Sequence, residues 1–264
     1  MRPGGALFRR LQDIPSGTLL GRLIRLPLAL LPAGRPVTVR AGLNRGMRWL
    51  AGAGAHGCWL GHYEAPKQDL LSALVRPGDF AIDVGANAGF FTLALARLAG
   101  PGGRVIAIEP LAENVAALRR HVAMNALDNV VVVQAACADA HALAGFQAAA
   151  TGEEGRLAAG SDYVLPTVTL DEVIALVPGL VPAVVKIDVE GAEAAVLRGA
   201  RSLLERRQTA FLVATHGPAP ERECMDILVD AGYRVQLFDG TPAGGPPGPG
   251  SDDWLATPPG FRGA

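Results

Sequence analysis

The chain is poor in charge, in cysteine and in long uninterrupted apolar runs, and each shortage removes a class of protein. Only 19% of its 264 residues are charged and the formal net charge is −1, with Lys and Arg scattered rather than massed on one segment. The electrostatic footprint of a nucleic-acid binder is therefore missing, and a small or neutral partner fits better. The three cysteines, Cys58, Cys137 and Cys224, stand far apart and are odd in number. That pattern suggests neither a disulfide framework nor a metal-binding Cys pair, and a reducing cytoplasm is the simplest setting. The most apolar early stretch, residues 19–31, carries Arg22 and Arg25 and is broken by Pro27, whereas a spanning helix needs about 20 apolar residues in succession. It also lacks the small-residue cleavage site of a secretory leader. A helix packed on the domain is expected there, with no stable membrane insertion. No internal repeat is visible.

What is present is apolar and periodic. Half of the residues are hydrophobic, which suits a sheet buried on both faces, and the length suits one large domain rather than two. From Asp79 onward short β-branched runs alternate with helical stretches, the pattern of βαβ units and a parallel sheet. Strands are expected over 80–84, 104–108, 129–135, 183–188, 210–215 and 233–238, with a short last one over 254–257. Helices are expected through Phe91, Leu95 and Leu98, and over 111–125, 170–177, 192–206 and 221–231. Between His141 and Val168 the period weakens, and a hairpin or loop insertion is expected. A Gly- and Pro-rich break follows over 244–250.

The strongest chemical signal is Asp83-Val84-Gly85-Ala86-Asn87-Ala88-Gly89, which leaves a buried strand and enters a helix. Gly85 and Gly89 let the backbone pass close to a ligand, in the crevice where open α/β sheets bind one. Glu109, at the end of the next strand, sits where a carboxylate accepts hydrogen bonds from two ribose hydroxyls. A dinucleotide site would want G-x-G-x-x-G. Here Asn87 replaces the middle glycine, Phe90 and Phe91 crowd the third position, and Asp83 would repel a pyrophosphate while suiting a cationic methionine group. The spacing favours S-adenosylmethionine over NAD.

These residues, with Lys186-Ile187-Asp188-Val189-Glu190-Gly191-Ala192-Glu193 and Val196-Leu197-Arg198-Gly199-Ala200, resemble the FkbM family of methyltransferases. His56 to Glu64, Pro166 to Glu172 and Gly232-Tyr233 are similar to further landmarks of that family, so the resemblance runs from about Leu43 to Phe238. It implies an α/β, Rossmann-like class I methyltransferase with a seven-stranded, mostly parallel sheet and helices on both faces. It also implies S-adenosylmethionine as donor and a hydroxyl acceptor on a sugar or natural-product-like small molecule. The expected organisation is a helical and strand extension over 1–62 packed on a methyltransferase domain over 63–264. One departure is Ala214-Thr215-His216, where many relatives carry a glutamate before the histidine.

Methyl transfer asks the protein to align donor and acceptor and to take a proton from an oxygen nucleophile. Lys186, Asp188 and Glu190 alternate along a strand and its end and so share a side. Asp188 is the first candidate for a base or acceptor-orienting carboxylate, Glu190 the second, and His216 the third. The structural alternatives are a Lys186–Asp188 pair, a helix cap by Glu190, and a loop carbonyl for His216. The cofactor is expected to contact Asp83, Gly85, Asn87, Gly89, Glu109 and Asp139, the last through the adenine amino group or else as a surface turn. Tyr63 and Glu64 are candidates to close over the methionine end, with Glu64 equally suited to serve the N-terminus of the helix entered at Pro66, and Trp49 and Trp59 are either core or acceptor platform. A divalent ion bridged by Asp188, Glu190 or His216 is a further option, since oxygen ligands suit magnesium. Two other functions compete: an NAD-dependent oxidoreductase and a non-catalytic nucleoside-binding protein.

Overall fold

Alternation of side chains along the strands decides which helices cover which face of the sheet. A computed structural model describes residues 32–54, 57–148, 155–157, 161, 163–238 and 253–261. The expected early helix over 19–31 and the Gly/Pro break over 244–250 lie outside the described residues. The strands are β1 (Pro36–Thr38), β2 (Arg48–Leu50), β3 (Phe80–Val84), β4 (Arg104–Ile108), β5 (Val130–Val133), β6 (Ala136–Cys137), β7 (Ala142–Ala148), β8 (Gly155–Leu157), β9 (Tyr163–Val168), β10 (Pro182–Ile187), β11 (Ala210–Ala214), β12 (Arg234–Leu237) and β13 (Asp253–Thr257). Seven of them form one sheet in the order β12-β13-β11-β10-β3-β4-β5. β13 runs antiparallel to both of its neighbours, and the β11–β10–β3–β4–β5 pairings are all parallel.

Phe80, Ile82 and Val84 of β3, with Ile106, Ile108, Val185 and Ile187, point to one face and pack there on Leu170, Val196, Leu203 and Leu228. Those partners come from helices Leu170–Ala175, Glu193–Arg198, Arg201–Arg206 and Pro218–Asp230. Ala81, Val105, Val184 and Leu212 point to the other face, onto Leu71, Leu93 and Leu95 of helices Ala65–Leu74 and Phe90–Ala99. Each such aliphatic side chain contributes about 1.5–3 kcal/mol when fully buried. The sheet is thus α/β with helices on both faces. The chain runs outward from β3 to β5 on one side and from β10 to β11 on the other, which leaves a crevice beyond the carboxyl ends of β3 and β10.

Two expectations need correction. The single helix over 192–206 is two, Glu193–Arg198 and Arg201–Arg206. The break lies at Gly199, where a Cβ would stand 2.3 Å from the Ala138 carbonyl oxygen, so the chain passes another backbone there. The strand expected over 129–135 stops at Val133, and Ala136–Cys137 leaves the main sheet to pair in parallel with β9. The weakly periodic stretch holds β7, β8 and β9, which with β6 form a second sheet ordered β6-β9-β7-β8. The β1–β2 hairpin packs on helix Ala112–Met124: the Trp49 ring stacks on His121 at 3.8 Å, and His121 Nε2 accepts from Leu50 N at 2.9 Å.

Candidate functional site

The turn after β3 is held by the end of β4 and by its own groups. Gly85 N and Ala86 N both donate to Ile108 O at 3.0 Å, and Gly89 N donates to Ala86 O at 2.8 Å. Asn87, in the left-handed region at φ 49°, donates its N–H to Glu109 Oε2 at 2.8 Å and turns its own Oδ1 to Ala88 N at 2.6 Å. All five amides from Gly85 to Gly89 therefore have acceptors inside the protein. Glu109 is buried, and its other oxygen accepts from Leu111 N at 3.0 Å and Asn114 Nδ2 at 3.1 Å. Burial raises its pKa against these hydrogen bonds.

Glu109, Asn87 and Gly85 line a cavity whose far wall is Ala136, Cys137 and Phe146, and whose other end holds Lys186, Asp188 and Glu190. Gly89 and Asp83 do not line it. The need for glycine differs from the sequence expectation. A Cβ on Gly85 would stand 1.8 Å from the Asp188 carbonyl oxygen, and one on Gly89 would stand 2.2 Å from Leu118 Cδ1. Both glycines admit protein.

Asp83 is fully buried: Oδ2 accepts from Thr92 Oγ1 at 2.6 Å and Oδ1 faces Lys186 Nζ at 3.4 Å. The ion pair follows from register, since Lys186 lies opposite Asp83 in the β10–β3 ladder. Lys186 Nζ also donates to Gly85 O at 3.0 Å and stands 3.4 Å from Asp188 Oδ2. Lys67, buried on helix Ala65–Leu74, adds a second ammonium 3.9 Å from Asp188 Oδ2, paired with Glu64 at 2.7 Å and Asp253 at 2.9 Å. Burial opposes the charge on Asp188, but Lys186, then Lys67 and His216, outweigh it and hold the carboxyl below its ordinary range. Burial likewise opposes both lysine charges, and the surrounding carboxylates raise both pKa values.

His216 follows β11. Its Nδ1 is 2.7 Å from Glu193 Oε1, and its Nε2 is 3.7 Å from Asp188 Oδ1 and 3.6 Å from Glu190 Oε1. The Glu193 hydrogen bond is the main cause of a pKa raised to about 9, against burial and with help from Glu190 and Asp188. One ligand atom from each of Asp188, Glu190 and His216 falls within 4.8 Å of the others. The donor set suits a divalent ion poorly, because Asp188 already faces two ammoniums, Lys186 Nζ at 3.4 Å and Lys67 Nζ at 3.9 Å.

Asp139 is the clearest departure among the expected site residues. It lies outside the cavity, 46% exposed, with Oδ2 3.1 Å from Arg198 Nε, and Arg198 also pairs with Glu223. The chain reverses after β6, so Cys137 faces the cavity and Asp139 does not. Trp49 is fully buried and reaches the cavity wall, Tyr63 lines the wall beside Phe90 and Phe91, and Trp59 lies elsewhere.

Residues 83–235, more than half of the chain, match the Methyltransferase FkbM domain. The chain belongs to the FkbM methyltransferase family. A protein-L-isoaspartate O-methyltransferase of Triticum aestivum is 37% identical over 65 residues, 25% of this chain and 28% of that one, so the chain spans little more than a quarter of that relative. Among solved structures, a methyltransferase FkbM of Methylobacillus flagellatus KT shares 18% identity at a TM-score of 0.47, covering 72% of this chain and 50% of its own. An Aeropyrum pernix fibrillarin with natively bound S-adenosyl-L-methionine shares 16% identity at 0.45, covering 71% and 73%. At these scores the likeness carries no argument, and the fold rests on the strand order of the seven-stranded sheet. Among the described residues no helix is long and apolar enough to cross a membrane.

In this FkbM family member, sequence reasoning passed over Glu193 and Lys67. Glu193 stood in the quoted motif, three residues after Glu190, as an unassigned acid opening a helix. Lys67 carried no signal, because only the fold brings it to Asp188.

Proposed function

We propose that the chain methylates a hydroxyl oxygen of a sugar or natural-product-like small molecule, with S-adenosylmethionine as donor. The observation that carries this reading is the turn from Gly85 to Gly89, whose five amides are all used internally. A dinucleotide pyrophosphate is held by free amides at a helix N-terminus, and this turn offers none between Gly85 and Gly89; a carboxylate stands behind it instead. Glu109 Oε2 retains one lone pair beyond the three donors bound to the carboxylate, and it is the atom assigned to a ribose hydroxyl. The apolar wall of Ala136, Cys137 and Phe146 suits a flat base, and the acidic end at Asp188 and Glu190 suits a cation.

Bound S-adenosylmethionine supplies a methyl carbon made electrophilic by its sulfonium. Asp188, held ionised by Lys186 and Lys67, is a weak base, so its role is to orient the acceptor hydroxyl. His216 in its neutral form, whose population grows as pH rises toward about 9, takes the proton, and Glu190 flanks it. Residues 1–62 are read as an extension of a catalytic domain over 63–264, to which Trp49 lends one piece of the cavity wall.

Thermal shift with S-adenosylmethionine, S-adenosylhomocysteine and NAD tests the donor, because a ligand that binds only the folded state raises its melting temperature. Stabilisation by the first two and none by NAD is expected. A larger shift with NAD would overturn the reading. Radiolabelled methyl transfer to a panel of methyl glycosides then tests the acceptor class.

A further inference from the structure

Glu193 is a buried acid that does not line the cavity. It opens helix Glu193–Arg198, is fully buried, and its Oε1 accepts from Gly191 N at 3.0 Å and lies 2.7 Å from His216 Nδ1. Its Oε2 is buried with no hydrogen-bond partner among the described residues. A buried carboxylate with one free oxygen is costly unless it remains charged against a cation or a strong donor. The His216 imidazole, in direct contact with Oε1, is such a group.

We propose that Glu193 is a positioning residue that holds His216 in the Nδ1–H form, so that Nε2 faces the acceptor oxygen between Asp188 and Glu190. The geometry supports this in two ways. At 3.7 and 3.6 Å, Nε2 is beyond hydrogen-bonding reach of both carboxylates, so neither one fixes the ring from that side. The ring is instead fixed from behind, by a side chain that the solvent does not reach. A carboxylate on Nδ1–H sets the tautomer and leaves the lone pair of the neutral ring on Nε2, and it stabilises the imidazolium formed when that nitrogen takes a proton. The backbone is shaped for the contact: Glu190 at φ 51° and Gly191 at φ 95° turn the chain so that Glu193 re-enters beneath the end of β11.

The proposal rests on the methyl-transfer reading for what Nε2 does, and not for how the ring is held. The charged groups around His216 are Asp188 at the end of β10, Glu190 in the following loop and Glu193 on its helix. Lys186 and Lys67 act on it through Asp188, and Asp253 of β13 and Glu64 act through Lys67. Cys224 and Glu223, from helix Pro218–Asp230, lie on the far side of Glu193.

The test is a nitrogen-15 NMR titration of the histidines in the whole chain, which needs no acceptor. Neutral His216 is expected as the Nδ1–H form. Glu193→Gln is expected to mix the two forms and to lower the titration midpoint by at least about one pH unit. On methyl glycosides, Glu193→Gln is expected to lower kcat by about 10-fold or more while KM and the Kd for S-adenosylhomocysteine stay within about three-fold. A wild-type ring that is Nε2–H when neutral overturns the proposal whether or not any variant folds. So does a Glu193→Gln protein with unchanged tautomer and midpoint, or one whose kcat matches wild type. If no glycoside is methylated but the tautomer and midpoint behave as stated, the acceptor reading falls and the Glu193–His216 coupling stands.

Discussion

Gly85→Ala separates two reasons for a glycine that sequence cannot tell apart. If the residue is small to admit a ligand, alanine should cost affinity and little stability. The structure points the other way: the added Cβ would lie 1.8 Å from the Asp188 carbonyl oxygen and 2.8 Å from its carbon. Carbon–oxygen contacts settle near about 3.3 Å or beyond, so the ends of β3 and β10 must separate by about 1.5 Å. The positive φ of 73° adds about 1–2 kcal/mol for an L-residue, and forced overpacking adds about 1–3 kcal/mol. A loss of about 2–5 kcal/mol is expected. At about 2–4 °C per kcal/mol for a chain of this size, the melting temperature should fall by roughly 4–20 °C. Gly89→Ala carries the same left-handed penalty, at φ 95°, but its Cβ meets the end of the Leu118 side chain rather than backbone, so it should lose less. Calorimetric melting of both variants, with titration of S-adenosylhomocysteine into each, decides the matter. A Gly85→Ala protein that melts within about 2 °C of wild type but binds poorly would refute the reasoning.

Other consequences follow from the same contacts. Glu109→Ala removes the acceptor for Asn87 N and Leu111 N, and S-adenosylhomocysteine affinity measured by isothermal titration should fall about 10- to 100-fold, the scale of a charge-assisted hydrogen bond. Asp188→Asn leaves Lys186 with Asp83 and Lys67 with Glu64 and Asp253. Its loss of stability in a melting curve should therefore be smaller than the roughly 3–5 kcal/mol of a broken isolated pair, while methyl transfer falls steeply; an unfolded variant would show that Asp83 cannot hold Lys186 alone. His216, raised to about 9, adds stability that is fully present below its ordinary pKa and is lost as pH rises through about 9, so the melting difference between wild type and His216→Gln should shrink over that window. His121 runs the opposite way. Burial lowers it to about 4, so its contribution is present above its ordinary pKa and is lost as pH falls through about 4; comparing wild type with His121→Gln at pH 7 and pH 5 checks the sign.

The sheet was legible because its strands are short, apolar and bounded by glycine, and strand β3 matches the expected bounds residue for residue. The helix break at Gly199 was not, since its cause is the Ala138 backbone, sixty-odd positions earlier in the chain. In the site, Glu109 could be found from its place after a strand. Asp139 has the same kind of place and misled, because nothing local says that the chain leaves the main sheet at Ala136–Cys137 to pair with β9. Asp83 looked like a ligand contact because its partner, Lys186, is set by strand register and not by spacing. Glu193 and His216 are 23 residues apart and meet only because β10 and β11 are neighbours.

The antiparallel strand β13 lies between β11 and β12, although it follows both in the chain. Synthesis runs from the N-terminus, so β11 and β12 leave the ribosome before the strand that joins them exists. Until residues 253–257 emerge, Phe211, Leu212 and Val213 sit on an open edge with unpaired backbone groups, which is a template for pairing with other chains. Lys67 meanwhile lacks Asp253, one of its two close carboxylates. A nascent chain stalled short of β13 would carry most of the cavity wall on an incomplete sheet, and such chains should be held by chaperones or aggregate until the closing strand is made.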